Sequence, residues 1–110
     1  MALAVESLAT ATVSQGTELA VWASSAHKVY TWLVDLSAMN SGDMLTLRTY
    51  MRCQSGGAIL PAFLSDDQYT NAQSKVAISV PIQSPVYLEY RVLQNSGTSR
   101  AFPWQVISAS

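Results

Sequence analysis

The segment MLTLRTYMRCQ, residues 44–54, decides the fold class because apolar and polar side chains alternate along it. Successive side chains of a β-strand point to opposite faces of a sheet, so this period of two predicts a strand with one buried face. The predicted buried face carries Leu45, Leu47, Thr49, Met51 and Cys53. The predicted outward face carries Thr46, Arg48, Tyr50, Arg52 and Gln54.

Three further segments alternate in the same way and predict three more half-buried strands. Residues 29–36 are predicted to bury Tyr30, Trp32, Val34 and Leu36. Residues 75–82 are predicted to bury Val76, Ile78, Val80 and Ile82. Residues 86–94 are predicted to bury Val86, Leu88, Tyr90 and Val92, with Glu89 and Arg91 on the outward face.

Shorter apolar segments between the turns complete the predicted fold. Residues 7–13 and 18–23 are weaker strand candidates. A proline in each of the segments 58–64 and 102–108 predicts an edge strand, a bulge, or a strand that starts after the proline. Turns rich in Gly, Asn and Ser separate the segments, and no long segment has helical periodicity. The pattern predicts an all-β protein, an antiparallel β-sandwich or jelly roll of about eight short strands.

The length and the charge of the chain narrow its class. The 110 residues fit one β-sandwich domain, residues 1–110, in which residues 1–14 are predicted to form an N-terminal arm or an edge strand. Only 12% of the residues are charged, the net charge is −1, and 23 residues are Ser or Thr. Dispersed Lys and Arg argue against a nucleic-acid partner, and short apolar runs argue against a membrane. A surface with few charges either has no special role or is covered by other copies or a partner.

The chemical groups available for catalysis are few. The chain has one histidine, His27, in a predicted turn, and one cysteine, Cys53, on a predicted buried face. The seven acidic residues match no calcium-loop motif, and the glycines match no phosphate or dinucleotide motif. We therefore predict no enzyme activity, no catalytic or metal-ligating residues, and no cofactor.

Arginine and tyrosine side chains on the predicted outward faces are candidates for an interaction surface. Both residue types are favoured in protein interfaces, and exposed tyrosine rings also stack on sugars. Single exposed aromatic side chains also occur without any function. The candidate interaction residues are Arg48, Tyr50, Arg52, Tyr87, Arg91 and Arg100.

Two longer segments carry a resemblance to a known group of proteins. TWLVDLSAMNSGDMLTLRTYMRCQSGG, residues 31–57, joins a strand ending in Val-Asp, a Gly-Asp turn, a strand of alternating Leu and Arg, and a Ser-Gly-Gly turn. NSGTSRAFPWQVIS, residues 95–108, couples a Gly-Thr-Ser-Arg turn to Phe-Pro-Trp. Together they resemble small virion-associated structural proteins of tailed bacteriophages, and the resemblance covers residues 16–107.

The resemblance implies a capsid decoration (cement) protein, a small β-rich domain that stabilises the phage head by bridging capsid subunits. The implied partners are the phage major capsid protein and copies of the chain itself, with a trimer favoured. The implied location is the capsid surface of the virion, after assembly in the host cytoplasm. Two alternatives stay open: a carbohydrate-binding or adhesin module, and a neck or tail component of the virion.

Overall fold

A computed structural model describes residues 3–62, 67–79, 81–83 and 86–109. These residues form ten β-strands in two antiparallel sheets and include no helix, so none that is long and apolar enough to cross a membrane. The predicted all-β class and antiparallel sandwich are confirmed. The strands are β1 (Leu3–Val13), β2 (Glu18–Ser24), β3 (Val29–Asp35), β4 (Met44–Arg52), β5 (Leu60–Pro61), β6 (Asp67–Thr70), β7 (Val76–Ile78), β8 (Ile82–Gln83), β9 (Tyr87–Ser96) and β10 (Arg100–Ala109).

The strand order is that of a jelly roll. The first sheet has the order β1-β10-β3, with β7 and β8 both paired to the far side of β3. The second sheet has the order β2-β9-β4, with β5 and β6 both paired to the far side of β4. If β5 with β6 and β7 with β8 are each counted as one interrupted strand, eight positions result. Each position in the first half of the chain then pairs with its counterpart in the second half, as nested hairpins do.

The core lies between the two sheets and is built on β3 and β9. The predicted buried faces are confirmed within both strands, because their alternate side chains point inward and are almost fully buried. Val86, also predicted to be buried, precedes β9 and is half-buried. Aromatic rings connect the sheets: Trp32 stacks on Tyr90 with ring centroids 4.8 Å apart, and Trp22 meets Tyr30 edge to face at 4.9 Å. Such pairs stabilise a core beyond the apolar area that they bury.

The predicted orientation of residues 75–82 is wrong by one position. Val76 and Ile78 are exposed, and Ala77 between them is buried. The register of β3 explains this, since Ala77 lies opposite the buried Val34, whereas Ile78 lies opposite Leu33 on the outward side. The segment is also divided into β7 and β8. Of its other predicted core residues, Val80 and the side chain of Ile82 lie outside the part of the chain that is described.

The two prolines differ in their positions. Pro61 lies in β5 at the edge of the second sheet, as predicted, although residues 63 and 64 of that segment are not among those described. Pro103 lies inside β10, which is a central strand, so the prediction of an edge strand or of a start after the proline is wrong. Pro103 is tolerated because it faces only Thr10 of β1, and the pairing of β10 with β3 begins one residue later at Trp104.

The single cysteine is also placed differently from the prediction. Cys53 is exposed, although the alternation in β4 assigned it to the buried face. The strand ends at Arg52, and Cys53 is the first residue of the turn that follows. Beyond the last residue of a strand the alternation of side chains no longer applies.

Candidate functional site

Two arginines face each other on the outward side of the second sheet. Arg48 of β4 lies directly opposite Arg91 of β9. Like charges in this position destabilise a sheet. Glu18 of β2 compensates for both, because its Oε2 lies 3.1 Å from Nη1 of Arg48 and its Oε1 lies 2.9 Å from Nη1 of Arg91. No sequence pattern identifies Glu18 as part of this surface, because its partners Arg48 and Arg91 follow 30 and 73 residues later.

A second carboxylate completes the environment of Arg91. Its Nε and Nη2 donate to Oε1 of Glu89 at 2.9 and 2.7 Å. Hydrogen bonds to Glu18 and Glu89 raise the pKa of Arg91 above its usual range. Glu89 and Arg91 therefore share the outward face as predicted, and their ion pair is part of a larger network in which only 9% of Glu89 is exposed.

Tyr50 is buried, although it was predicted to point outward into solvent. Its side chain does share the outward face with Arg48, but only 9% of the residue is exposed. The guanidinium carbon of Arg91 lies 3.9 Å from the ring centroid, and the hydroxyl donates to Glu18 at 3.0 Å. A ring covered by a cation is not available to stack on a sugar. We call Glu18, Arg48, Tyr50, Glu89 and Arg91 the Glu18 cluster.

The protonation of Glu18 follows from its surroundings. Burial alone raises the pKa of a carboxyl group, because it disfavours the charged form. Hydrogen bonds from Arg91, Tyr50 and Arg48 outweigh burial and hold the pKa of Glu18 below its usual range. Glu18 is thus a carboxylate at neutral pH and pairs with the guanidinium groups of Arg48 and Arg91.

Arg52 and Tyr87 form a separate pair further along the same face. They lie directly opposite each other on β4 and β9, and the guanidinium carbon of Arg52 is 5.1 Å from the Tyr87 ring centroid. Both side chains are half-buried. Next to them, a groove of about 640 Å³ runs between the end of β4 and β5. Its lining includes Arg52, Cys53 and Leu60.

Arg100 belongs to neither group, because it is bound within the loops at one end of the sandwich. Its Nε donates to Oδ2 of Asp43 at 2.9 Å, and Asp43 is 3% exposed. The backbone N–H of Asn40 donates to the same oxygen at 2.9 Å, and that of Asn71 donates to the Asp43 carbonyl at 2.8 Å. Asp43 therefore connects three loops, and Arg100 positions it. Arg100 therefore has a structural role at this end of the molecule, and its side chain stays 26% exposed.

The carboxyl group of Asp43 is ionised for a similar reason. Burial raises its pKa, but hydrogen bonds from Arg100 and from the backbone of Asn40 outweigh this effect. The pKa of Asp43 therefore lies below its usual range. An uncharged side chain here would leave the Arg100 guanidinium without its counter-ion.

The outward side of the first sheet has the opposite character. One row of neighbouring side chains crosses β1, β10, β3 and β7, and a groove of about 480 Å³ lies beside it. The row consists of Leu8, Gln105, Leu33 and Ile78. Among the described strand residues on this side, Asp35 alone is ionisable. We define the apolar face by the residues Val5, Leu8, Leu33, Val76, Ile78 and Pro103.

The described residues include no group of three or more His, Cys, Asp or Glu that is placed to hold a metal ion. His27 is exposed in the turn between β2 and β3. The chemistry that the residues do assemble is ionic pairing and ring stacking on one face, and an apolar surface on the other. Both are properties of a contact surface.

Comparison with solved structures finds similar folds, one of them in a virus. No protein-family model matches the sequence, and no curated protein matches it. The fold is similar to a chain in the solved structure of the Gx strain of infectious bursal disease virus, with a TM-score of 0.55 and 7% sequence identity. The match covers 97% of this chain and 30% of that chain, so this chain spans less than a third of the viral chain's length. The likeness shows that the whole jelly roll is shared with part of a chain from a virus.

Proposed function

We propose that this protein is a non-enzymatic structural component of a virus particle, and specifically a decoration protein on the head of a tailed bacteriophage. The observation that carries the proposal is the match of the complete jelly roll to a chain from a virus structure. Jelly rolls of two sheets are common in virus shells. The resemblance of residues 31–57 and 95–108 to virion-associated phage proteins supports the finer assignment to a tailed phage.

The Glu18 cluster supports a structural role over a catalytic one. General acid–base catalysis needs a group whose pKa lies near the working pH. Glu18 has a lowered pKa, and its two oxygens are bound to Arg48, Tyr50 and Arg91. Such a network fixes the surface of the second sheet without leaving a poised proton donor or acceptor there.

Arg52 and Tyr87 are the part of the predicted interaction set that suits contact with the major capsid protein. Arg48, Tyr50 and Arg91 are occupied in the Glu18 cluster. The side chains of Arg52 and Tyr87 are both half-buried, Arg52 also lines the groove between the end of β4 and β5, and Arg and Tyr are the residue types that interfaces favour. The carbohydrate-binding alternative now depends on Tyr87 alone, because the ring of Tyr50 is covered.

The test is to find the protein in particles of the phage whose genome encodes it. Quantitative mass spectrometry of gradient-purified particles should detect many copies per head, and cryo-electron microscopy should show matching density on the capsid surface. Absence from purified particles would overturn the proposal. Density on the neck or tail would contradict decoration of the head and retain the structural role in the virion.

A pair of variants tests the capsid contact. R52E should weaken binding of the purified protein to heads that lack it, measured by co-sedimentation. The control is S25E, which also adds a carboxylate, at an exposed position in the turn between β2 and β3. Equal binding by both variants would exclude Arg52 from the contact, provided that the two proteins melt at similar temperatures.

A further inference from the structure

We infer that β1 is a self-association strand, and that β1 of one chain pairs antiparallel with β1 of a second copy. The inference rests on the geometry of the first sheet and stands independently of the proposed function. It joins two jelly rolls through their first sheets into one continuous sheet of ten strands.

One side of β1 is open to a further strand. This strand has eleven residues and lies at the edge of its sheet, where, among the described residues, it pairs with β10 alone. A long exposed edge strand offers a row of backbone N–H and C=O groups to another strand. The side chain of Leu8 on this edge is 69% exposed, and those of Leu3 and Val5 are exposed as well. The edge is therefore both long and apolar.

The edge formed by β1 has little protection against pairing with another strand. Proteins normally protect edge strands with proline, bulges or charges that point to the solvent. β1 has no proline, its one charged residue is Glu6, and its one bulge, between Val5 and Ser7, leaves residues 7–13 in regular register. Glu6 is turned back onto its own chain, where it accepts from Lys28 Nζ at 2.8 Å and from Ser108 Oγ at 2.6 Å. The one charge that could repel a second strand is thus neutralised within the monomer.

The strand that best matches this edge is β1 of a second copy. The other strands at the ends of the two sheets are shorter than β1: β2 has seven residues, β7 has three and β5 has two. Another β1 is the only described strand at a sheet edge that matches it in length. An antiparallel pair of identical strands has a two-fold axis, so every contact is made twice.

The bulge in β1 makes this pairing self-complementary. The register with β10 shifts between Val5 and Ser7, which places Val5 and Leu8 on the same outward side. A two-fold axis near Ser7 brings Leu8 of each copy next to Val5 of the other. The apolar face then continues across the axis, and its one ionisable side chain, Asp35, lies two strands away from β1. The two Glu6 residues lie near this axis, and each is paired with Lys28 of its own chain, so no unpaired like charges meet at the contact.

The size of the contact sets the expected affinity. Eleven residues of strand span about 36 Å, close to the 40 Å long axis of the molecule. We expect an interface as long as β1 and as wide as one strand with its side chains to bury roughly 1,000 Å² in total. This area is at the low end for specific interfaces. We therefore expect a dimer with a dissociation constant in the micromolar range. A two-fold contact gives dimers, whereas the resemblance to decoration proteins favours a trimer.

The first experiment is sedimentation equilibrium of the full chain between about 5 and 300 μM. The mass should rise from 11.9 kDa towards twice that value. L8K places two ammonium groups near the axis and should raise the dissociation constant at least tenfold. The control is L60K, because Leu60 is also an exposed leucine, 61% accessible, on an edge strand of the second sheet. A wild-type mass that stays at 11.9 kDa, a trimer, or equal effects of L8K and L60K would overturn the inference.

A second experiment does not depend on weakening the protein. In a C53S background, S7C should form a disulfide-linked dimer on mild oxidation, because Ser7 lies near the proposed axis. The control is A23C, at an exposed position in β2. Dimers that form no faster with S7C than with A23C would contradict pairing through β1. A dimer in solution that is absent from virions refutes the proposed function alone, and a monomer found on heads refutes this inference alone.

Discussion

Gly97 packs directly against Asp43, so closely that a β-carbon on the glycine would overlap Oδ1 of the carboxylate. Gly97 also has a φ of +95°, in the left-handed region that side chains disfavour. Two independent constraints therefore require glycine at position 97, in the loop between β9 and β10. One is the backbone conformation, and the other is the contact with Asp43, whose carboxylate connects the loops at this end of the molecule.

G97A should be strongly destabilising, because it combines backbone strain with displacement of Asp43. We expect a loss of about 3 kcal/mol or more in the free energy of unfolding, measured by urea denaturation. The matched control is G16A, since Gly16 has a φ of +80° and open space around it. G16A should cost only about 1 kcal/mol. Similar losses for the two variants would show that the contact with Asp43 is unimportant.

D43N should destabilise the protein at neutral pH and flatten its pH dependence. The pKa of Asp43 is lower in the folded chain than in the unfolded chain, so its stabilising contribution is present above about pH 4 and is lost as pH falls through the folded value. We expect a cost of about 2 kcal/mol at pH 7 that shrinks towards pH 3. The control is D35N, at a half-buried position whose carboxylate accepts from the backbone N–H of Ser37 in its own turn. A constant difference between D43N and wild type from pH 7 to pH 3 would contradict this assignment.

T46A should cost about 1–2 kcal/mol, although the alternation in β4 assigned Thr46 to an exposed face. Thr46 is 1% exposed, and its Oγ1 donates to Oδ1 of Asn95 at 2.6 Å. Removal of the hydroxyl leaves the Asn95 side chain without this donor. T12A, at an exposed threonine of β1, should change the free energy by less than about 0.5 kcal/mol. Denaturant midpoints that coincide for T46A and T12A would contradict the burial of Thr46.

Tyr50 and Glu18 should be energetically coupled. Y50F removes the hydroxyl that donates to Glu18 and should cost about 1 kcal/mol. E18Q weakens the pairing with Arg48 and Arg91. In a double-mutant cycle we expect a coupling energy of about 0.5–1.5 kcal/mol. Strict additivity would show that the hydroxyl contributes nothing to the Glu18 cluster.

Cys53 should react with a thiol reagent in the folded protein. The residue is exposed and is the chain's single cysteine, so labelling by 5,5′-dithiobis(2-nitrobenzoate) reports on it alone. We expect one equivalent to react without denaturant, at a rate close to that in urea. Labelling that requires unfolding would restore the buried position that the sequence pattern predicted.

Alternation predicted β3 and β9 correctly because the larger apolar side chains lie on one side of each strand. On β3 the aromatic rings of Tyr30 and Trp32 outweigh Leu33 on the opposite side, and on β9 the charges of Glu89 and Arg91 mark the outward side. The method failed for β7, where Val76 and Ile78 face outward around a small buried alanine. Both sides of the first sheet are apolar, so hydrophobicity alone does not identify the inner one.

The Glu18 cluster was only partly predictable. The outward assignment of Arg48 and Arg91 on their strands was correct, since it follows from alternation within each strand. The burial of Tyr50 was not predictable, because it depends on a carboxylate from β2 that reaches across β9. A local pattern carries no information about a partner that is distant in the chain.

The pairing of Leu3 with Ala109 has a consequence for synthesis on the ribosome. Among the strands described here β1 is made before the others, and it obtains its partner only when β10 has been made. Until then the apolar residues of β1 stay unpaired on a nascent chain whose other sheet contacts are also mostly distant in sequence. Such a topology folds slowly, over milliseconds to seconds, and only after β10 has been made. A ribosome that stalls before β10 would therefore release a chain prone to aggregate through the same strand that we assign to self-association.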